Sequence, residues 1–216
     1  MHAVPNNTPM KVRKEPQITD PRVQRSTRAL GAALVELLHE RQFDSITVQD
    51  ILDRAGVGRA TFYSHFRNKD DVLYSSFEGL FQFLGAVLER QSSTGPRLVP
   101  VAEFLAHVGD AEVFVASLRA SGKFDELSEL TVDFVADMIK RRIAPVAGST
   151  PGVPPALLAR MLAAAFVEMF RWWLEQPSRE APERMDATFH ALAHTLLRRS
   201  RYVVALAGHG GVSSVR

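Results

Sequence analysis

The sequence predicts an all-α fold, on three observations. Apolar residues recur at intervals of three and four along most of the chain, the period of a helix packed on one face. No stretch alternates apolar and polar residues as a half-buried strand does. Proline, glycine and short hydroxyl-rich clusters fall between the periodic stretches, where helices must begin and end.

The elements follow in order. Residues 1–19 hold Pro5, Pro9 and Pro16 among polar residues, so a mobile tail is expected. Its Lys11, Arg13 and Lys14 are either solubilising charge or a reach toward phosphate or the minor groove. Asp20 and Pro21 suit the cap and first position of a helix. Its apolar stripe is Val23, Thr27, Leu30, Leu34, Leu37 and Leu38, with Arg22, Arg25 and Arg28 on the other face. Gln42, Phe43 and Asp44 form a turn, and Phe43 and Ile46 are expected to seal a small three-helix core. Thr47 is placed to cap a short helix carrying Val48, Ile51 and Leu52. Gly56 suits the left-handed position that closes it, and Val57 pins the turn. A second short helix then carries Arg59, Ala60, Thr61, Phe62, Tyr63, Ser64, His65 and Phe66.

Asn68, Lys69 and Asp70 open a long helix to about Gln91, through Val72, Leu73, Phe77, Leu80, Phe81, Leu84, Val87 and Leu88. Residues 92–96 end it. Helices are expected at 101–109, 111–121 and 124–143, the last with Leu127, Leu130, Val135, Met138 and Ile139 on its apolar face. Residues 145–152 are the clearest loop. Pro154 and Pro155 start the next helix, 156–176, which is almost wholly apolar from Leu157 to Phe170 and so is expected to be buried on most sides. Pro177 and Pro182 bracket the link to a last helix, 183 to about 206, before a glycine-rich tail at 207–216. The expected organisation is a tail at 1–19, a small domain at 20–68, a helical domain at 69–206 and a tail at 207–216.

Composition narrows the function. At 216 residues, 46% hydrophobic and 23% charged, the chain has the make-up of an ordinary globular protein. The start lacks the apolar core of a signal peptide, and no apolar run is long enough to span a membrane. The absence of cysteine excludes disulfides, thiolate metal sites and thiol catalysis. A cytoplasmic location is expected. The net charge of +2 is unevenly placed: residues 1–70 hold 11 Lys/Arg against 8 Asp/Glu, so the positive excess lies with the paired short helices. Phosphate neutralisation is what non-specific DNA affinity rests on.

Two short helices about a tight glycine turn form the pattern of a helix-turn-helix, whose second helix enters the major groove. Arg59, Ala60 and Thr61 give that helix a start that is small or hydrogen-bonding, as close approach to base edges requires. Phe62 and Phe66 read as core. Tyr63 reads as a contact, since a core position there would more simply hold Phe.

The set Thr47, Ile51, Ala55, Gly56, Val57, Thr61, Phe62, Tyr63, His65, Phe66, Lys69 and Leu73 resembles the DNA-binding domain of the TetR family of bacterial repressors, over roughly residues 22 to 73. The resemblance implies that Gln49 reaches a base beside Arg59, Ala60 and Thr61. It implies phosphate contacts from Arg28, Thr47, Tyr63, His65 and Lys69. Double-stranded operator DNA is then the expected partner. The resemblance also implies a homodimer through the last two helices, and a small-molecule effector held in the C-terminal bundle. Candidate effector residues are Phe104, His107, Phe114, Phe134, Met138, Phe166, Met169, Phe170 and Trp173. Trp172, Asp133, Asp137 and Glu168 lie beside them.

Two other readings stay open. One is a helical module that binds DNA or protein and senses nothing, with a filled core. The other is a metal-dependent enzyme using His190 and His194, which stand four apart on a helix. Against the enzyme, position 191 is Ala rather than a catalytic Glu, and no third ligand is evident. No catalytic residue, metal or cofactor is expected.

Overall fold

The computed structural model describes residues 21–90, 97–109 and 112–204. The expected N-terminal tail, the Asp20 cap, the break at 92–96 and the C-terminal tail lie outside the described residues.

The fold is all-α. Among the described residues the helices are α1 (Pro21–Glu40), α2 (Val48–Ala55), α3 (Arg59–His65), α4 (Lys69–Arg90), α5 (Val101–Gly109), α6 (Glu112–Ala120), α7 (Lys123–Arg142), α8 (Pro155–Glu175) and α9 (Pro182–Arg199). A 3-10 turn, Phe43–Ser45, joins α1 to α2.

Local chemistry sets the small helices. Thr47 is extended, with φ −99°, and its hydroxyl accepts from the Asp50 backbone N–H at 3.2 Å. The Asp50 carboxylate accepts in return from the Thr47 N–H at 2.8 Å, which completes a capping box. These bonds hold the Asp50 carboxyl down to about 2. Gly56 closes α2 with φ 63°, a conformation that costs a side-chain-bearing residue dearly. Asn68 caps α4 by accepting from the Asp71 N–H at 2.9 Å.

Two cores result. The first gathers Leu30, Leu34 and Leu38 of α1, Phe43, Ile46, Ile51, Leu52, Phe62, Phe66, Val72 and Leu73, and it takes in Leu118 of α6 and Leu127 of α7. Gly31 lets α1 lie close on α4: a Cβ there would come within 2.5 Å of the Ser76 hydroxyl. The second core lies between α4, α5, α7, α8 and α9, around Phe81, Phe104, Phe166, Phe170 and Trp173.

Three expectations need correction. The last helix stops at Arg199 rather than near 206. Arg201, with φ 62°, turns the chain into a short strand, β2 (Tyr202–Val204), which pairs antiparallel with β1 (Ile143–Pro145). The ribbon is anchored by Tyr202, buried, whose hydroxyl donates to the Val153 carbonyl at 2.8 Å. Three residues are too few to show alternation, so the strands were invisible to periodicity, and the helix expected at 124–143 ends one residue early because Ile143 joins the ribbon. Finally, α8 is not covered on most sides within one chain. Leu157, Met161 and Trp172 on α8 are about half exposed, as are Leu192 and Leu196 on α9.

Candidate nucleic-acid interface

Helix α3 has two distinct faces. Phe62 and Phe66, both buried, fasten it to the first core, with their rings 5.8 Å apart. Arg59, Ala60, Thr61, Tyr63 and His65 are exposed on the remaining surface. Tyr63 is 56% exposed and stands edge-on to the Phe62 ring at 5.1 Å, so packing fixes the phenol while its hydroxyl stays outside. Arg28 is exposed on α1.

The two side chains expected to read bases are bonded to each other. Arg59 Nε and Nη2 donate to Gln49 Oε1 at 3.1 and 2.5 Å. Gln49 Nε2 donates to Asp53 Oδ1 at 2.6 Å. Asp53 therefore orients the Gln49 amide, and the amide oxygen gathers the guanidinium. Sequence reasoning passed over Asp53, although its place four residues after Gln49 on one helix face is a legible signal.

Two residues expected on phosphate serve the protein's own backbone. The Thr47 hydroxyl is spent on the capping box, accepting from the Asp50 N–H and donating to Asp50 Oδ2 at 2.7 Å. The Lys69 ammonium donates to the carbonyls of Phe43 (2.7 Å), Asp44 (3.2 Å) and Ile46 (2.9 Å), and lies 4.5 Å from the Phe43 ring centroid. An ammonium has three hydrogens, and all three have acceptors here. Its part in this geometry is to tie the turn before α2 to the start of α4.

The effector candidates do not converge as a set. Phe104, Met138, Phe166, Phe170 and Trp173 are buried in the second core, with Phe134 and Met169 half-buried against it. Phe104 meets the Phe81, Phe166 and Phe170 rings at 5.6, 5.3 and 5.0 Å. Phe114 instead packs against the first core, and its ring lies 6.2 Å from His39. His107, Asp133, Asp137, Glu168 and Trp172 are exposed, and Asp133 is paired with Arg160 at 2.6 Å. The spacing of His107 and Phe114 matched helical faces, but those faces turn away from the bundle core.

His190 is buried and both its ring nitrogens are in use. The Leu98 N–H donates to Nε2 at 3.0 Å, and Nδ1 lies 2.8 Å from the Asp186 carbonyl. That pairing assigns the proton to Nδ1 and leaves no lone pair for a metal. Among the described residues no group of three potential ligands comes together. No helix among them is long and apolar enough to cross a membrane.

Comparison with known proteins agrees with this geometry. The family model described as "Bacterial regulatory proteins, tetR family" matches residues 30–74. Residues of the chain are 41% identical over 66 positions to an uncharacterized HTH-type transcriptional regulator, YxbF, of Bacillus subtilis, covering 30% of this chain. The chain spans only 17% and 29% of the length of two such Bacillus subtilis relatives, YxbF and YdeS. A longer likeness, 28% identity over 209 positions, covers 80% of this chain and 89% of the HTH-type transcriptional regulator EthR of Mycolicibacterium smegmatis. The fold is shared with a TetR transcriptional regulator from Streptococcus agalactiae, at TM-score 0.51 and 24% identity over 80% of this chain and 95% of that one. It is shared also with the dihydroxyacetone kinase operon activator DhaS, at TM-score 0.58 and 16% identity over 82% and 98%.

Proposed function

We propose that this chain, whose residues 30–74 match the TetR-family model, is a regulator of that family: a homodimeric repressor that grips a pseudo-palindromic operator and is released when a small molecule enters its helical bundle. The observation that carries the DNA-binding part is α3: a short helix with buried Phe62 and Phe66 behind it and Arg59, Ala60, Thr61 and Tyr63 presented outward. In this reading Arg59 and Gln49 address base edges. Tyr63, His65 and Arg28 hold phosphates, and Lys69 adds its field while its hydrogens hold the turn. Residues 20–68 act as the reader and 69–206 as the regulatory and dimerising unit, and the protein acts in the cytoplasm.

The dimer rests on the uncovered faces of α8 and α9. Leu157, Met161, Trp172, Leu192 and Leu196 leave apolar side chains exposed on both helices, and a two-fold pairing of these helices would cover them. The effector rests on the aromatic interior of the bundle, which suits a mostly apolar ligand. The ring contacts of 5.0–5.6 Å around Phe104 also fit a filled core, the reading in which nothing is sensed. An effector has to part those rings to enter.

Selection of bound sites from a random DNA pool tests the proposal. The expected product is an inverted repeat whose half-sites lie about one helical turn, or a multiple of it, apart. Light scattering should give twice the mass of one chain at micromolar concentration. A single unrepeated site bound by a monomer would sink the two-fold reading. A reporter placed behind the selected site decides the sign of control, with silencing expected and activation contrary to it. Screening apolar compounds for loss of operator binding separates the sensing bundle from the filled one.

A further inference from the structure

The turn Phe43–Ser45 stands between α1 and the helix-turn-helix, and its bonding is not local. Its N-terminal flank, Gln42, supplies no side-chain cap. The Phe43 N–H is buried and donates to the hydroxyl of Ser117, 74 residues away on α6, at 3.0 Å. Ser117 is itself buried, and its hydroxyl donates on to the Arg41 carbonyl at 3.4 Å. The Phe43 carbonyl is taken by Lys69 of α4. The Phe43 ring, 1% exposed, lies 4.5 Å from the Lys69 ammonium and 6.0 Å from that of Lys123 at the start of α7. Lys123 in turn pairs with Asp70 on the first turn of α4 at 2.7 Å and with Glu126 at 3.0 Å, beside a Tyr74–Glu126 hydrogen bond. One residue of the turn is thus held by α4 and α6 through its backbone, and its ring faces cations from α4 and α7.

We propose that Ser117, seconded by Lys123, is a positioning residue for DNA reading: a hydroxyl of the bundle that sets the angle at which α2 and α3 leave the rest of the protein. The physical argument is the cost of the alternative. A buried N–H without an acceptor is expensive, so the turn has one favourable seat against α6. The turn leads at once to Ile46, whose carbonyl Lys69 holds, and to Thr47, which caps α2. Rotation of the turn therefore carries the reader with it. Leu118 and Leu127, buried in the first core, give the same corner its apolar contact. In a dimer, the angle at each end fixes the distance between the two readers. The inference rests on the two-fold operator reading above.

The test uses the full chain and the operator found by selection, rebuilt with one base pair added or removed between half-sites. Wild type is expected to prefer its best spacing by about tenfold or more, since mis-spaced half-sites are not engaged together. Ser117→Ala, and separately Lys123→Met, are expected to weaken binding at the best spacing and spare the others, so that the preference falls by about threefold or more. Active protein is counted by stoichiometric titration, so partial unfolding lowers every affinity alike and leaves the ratio untouched. Lys123→Arg, which keeps the charge, should retain the wild-type ratio. A sharp wild-type optimum preserved in both Ser117→Ala and Lys123→Met overturns the inference alone. A wild type indifferent to spacing overturns the two-fold reading and the inference together.

Discussion

Replacing Arg97 by methionine is expected to destabilise the protein more than any other single change in polar chemistry, by about 3–5 kcal/mol. The guanidinium is mostly buried. It donates to both Glu103 carboxylate oxygens, at 2.8 and 2.7 Å, and also pairs with Asp186. The cluster joins the segment before α5 to α5 and α9, and His190 extends it to the Leu98 N–H. Methionine keeps much of the stem but leaves two carboxylates in a poorly hydrated place. The pH dependence is diagnostic. In the native protein Arg97 holds the Glu103 carboxyl below its usual range. Burial pushes Asp186 up, but hydrogen bonds from His190 and Arg97 outweigh it and leave it lowered. Lowered carboxyls stabilise the fold above the unfolded carboxylate range, about pH 4, and that contribution is lost as pH falls through the lower folded values. In Arg97→Met burial is opposed at Glu103 only by its own backbone N–H, and at Asp186 by His190 and the Ala102 N–H, so protonation there relieves strain that Arg97 relieves in the native protein. The deficit in melting temperature should be largest near neutrality and shrink toward pH 4. Melting curves that fall in parallel with pH for both proteins would show that the carboxylates do not depend on Arg97.

That cluster marks where the sequence stops being readable. Helix positions were legible because each carries its own period and its own punctuation: Thr47 and Gly56 fix the ends of α2 by local bonds, and Pro155 starts α8. The inner and outer faces of α3 were legible too, since Phe62 and Phe66 differ in kind from Arg59 and Thr61. Long-range polar pairs left no such trace. Arg97 and Asp186 are 89 residues apart, and Ser117 is a small hydroxyl in an apolar helix with nothing nearby to suggest a backbone partner in the first domain. The bonds of Lys69 to the turn left no trace for the same reason, because its acceptors are carbonyls, which every residue has. His107 and Phe114 lie away from the second core for a different reason. Short helices such as α5 and α6 can be rotated by small shifts in their loops, so periodicity names a face without saying which core it meets.

Arg59→Ala is expected to have the largest effect on recognition. A guanidinium forked onto a guanine contributes about 1–3 kcal/mol of discrimination, and a two-fold dimer uses it twice, so roughly 2–6 kcal/mol of operator preference is at stake. In the free protein the Arg59 guanidinium already has a partner. Gln49 Oε1 accepts from Nε and Nη2, and Asp53 keeps the amide turned that way. Binding a base has to exchange or share that acceptor, which draws the outcome toward the lower end of the range. The pattern matters more than the size. If Arg59 reads a base, the variant loses its preference at one symmetry-related pair of operator positions and keeps it elsewhere, while binding to unrelated DNA and the slope of affinity against salt hardly change. Gln49→Ala should relax the neighbouring position and also loosen the one that Arg59 reads, because the guanidinium loses its anchor. Competition binding against a set of single-base operator variants measures both. Equal weakening of every variant, with a salt slope reduced by about one per subunit, would make Arg59 a phosphate contact and move sequence reading to Thr61 and Gln49.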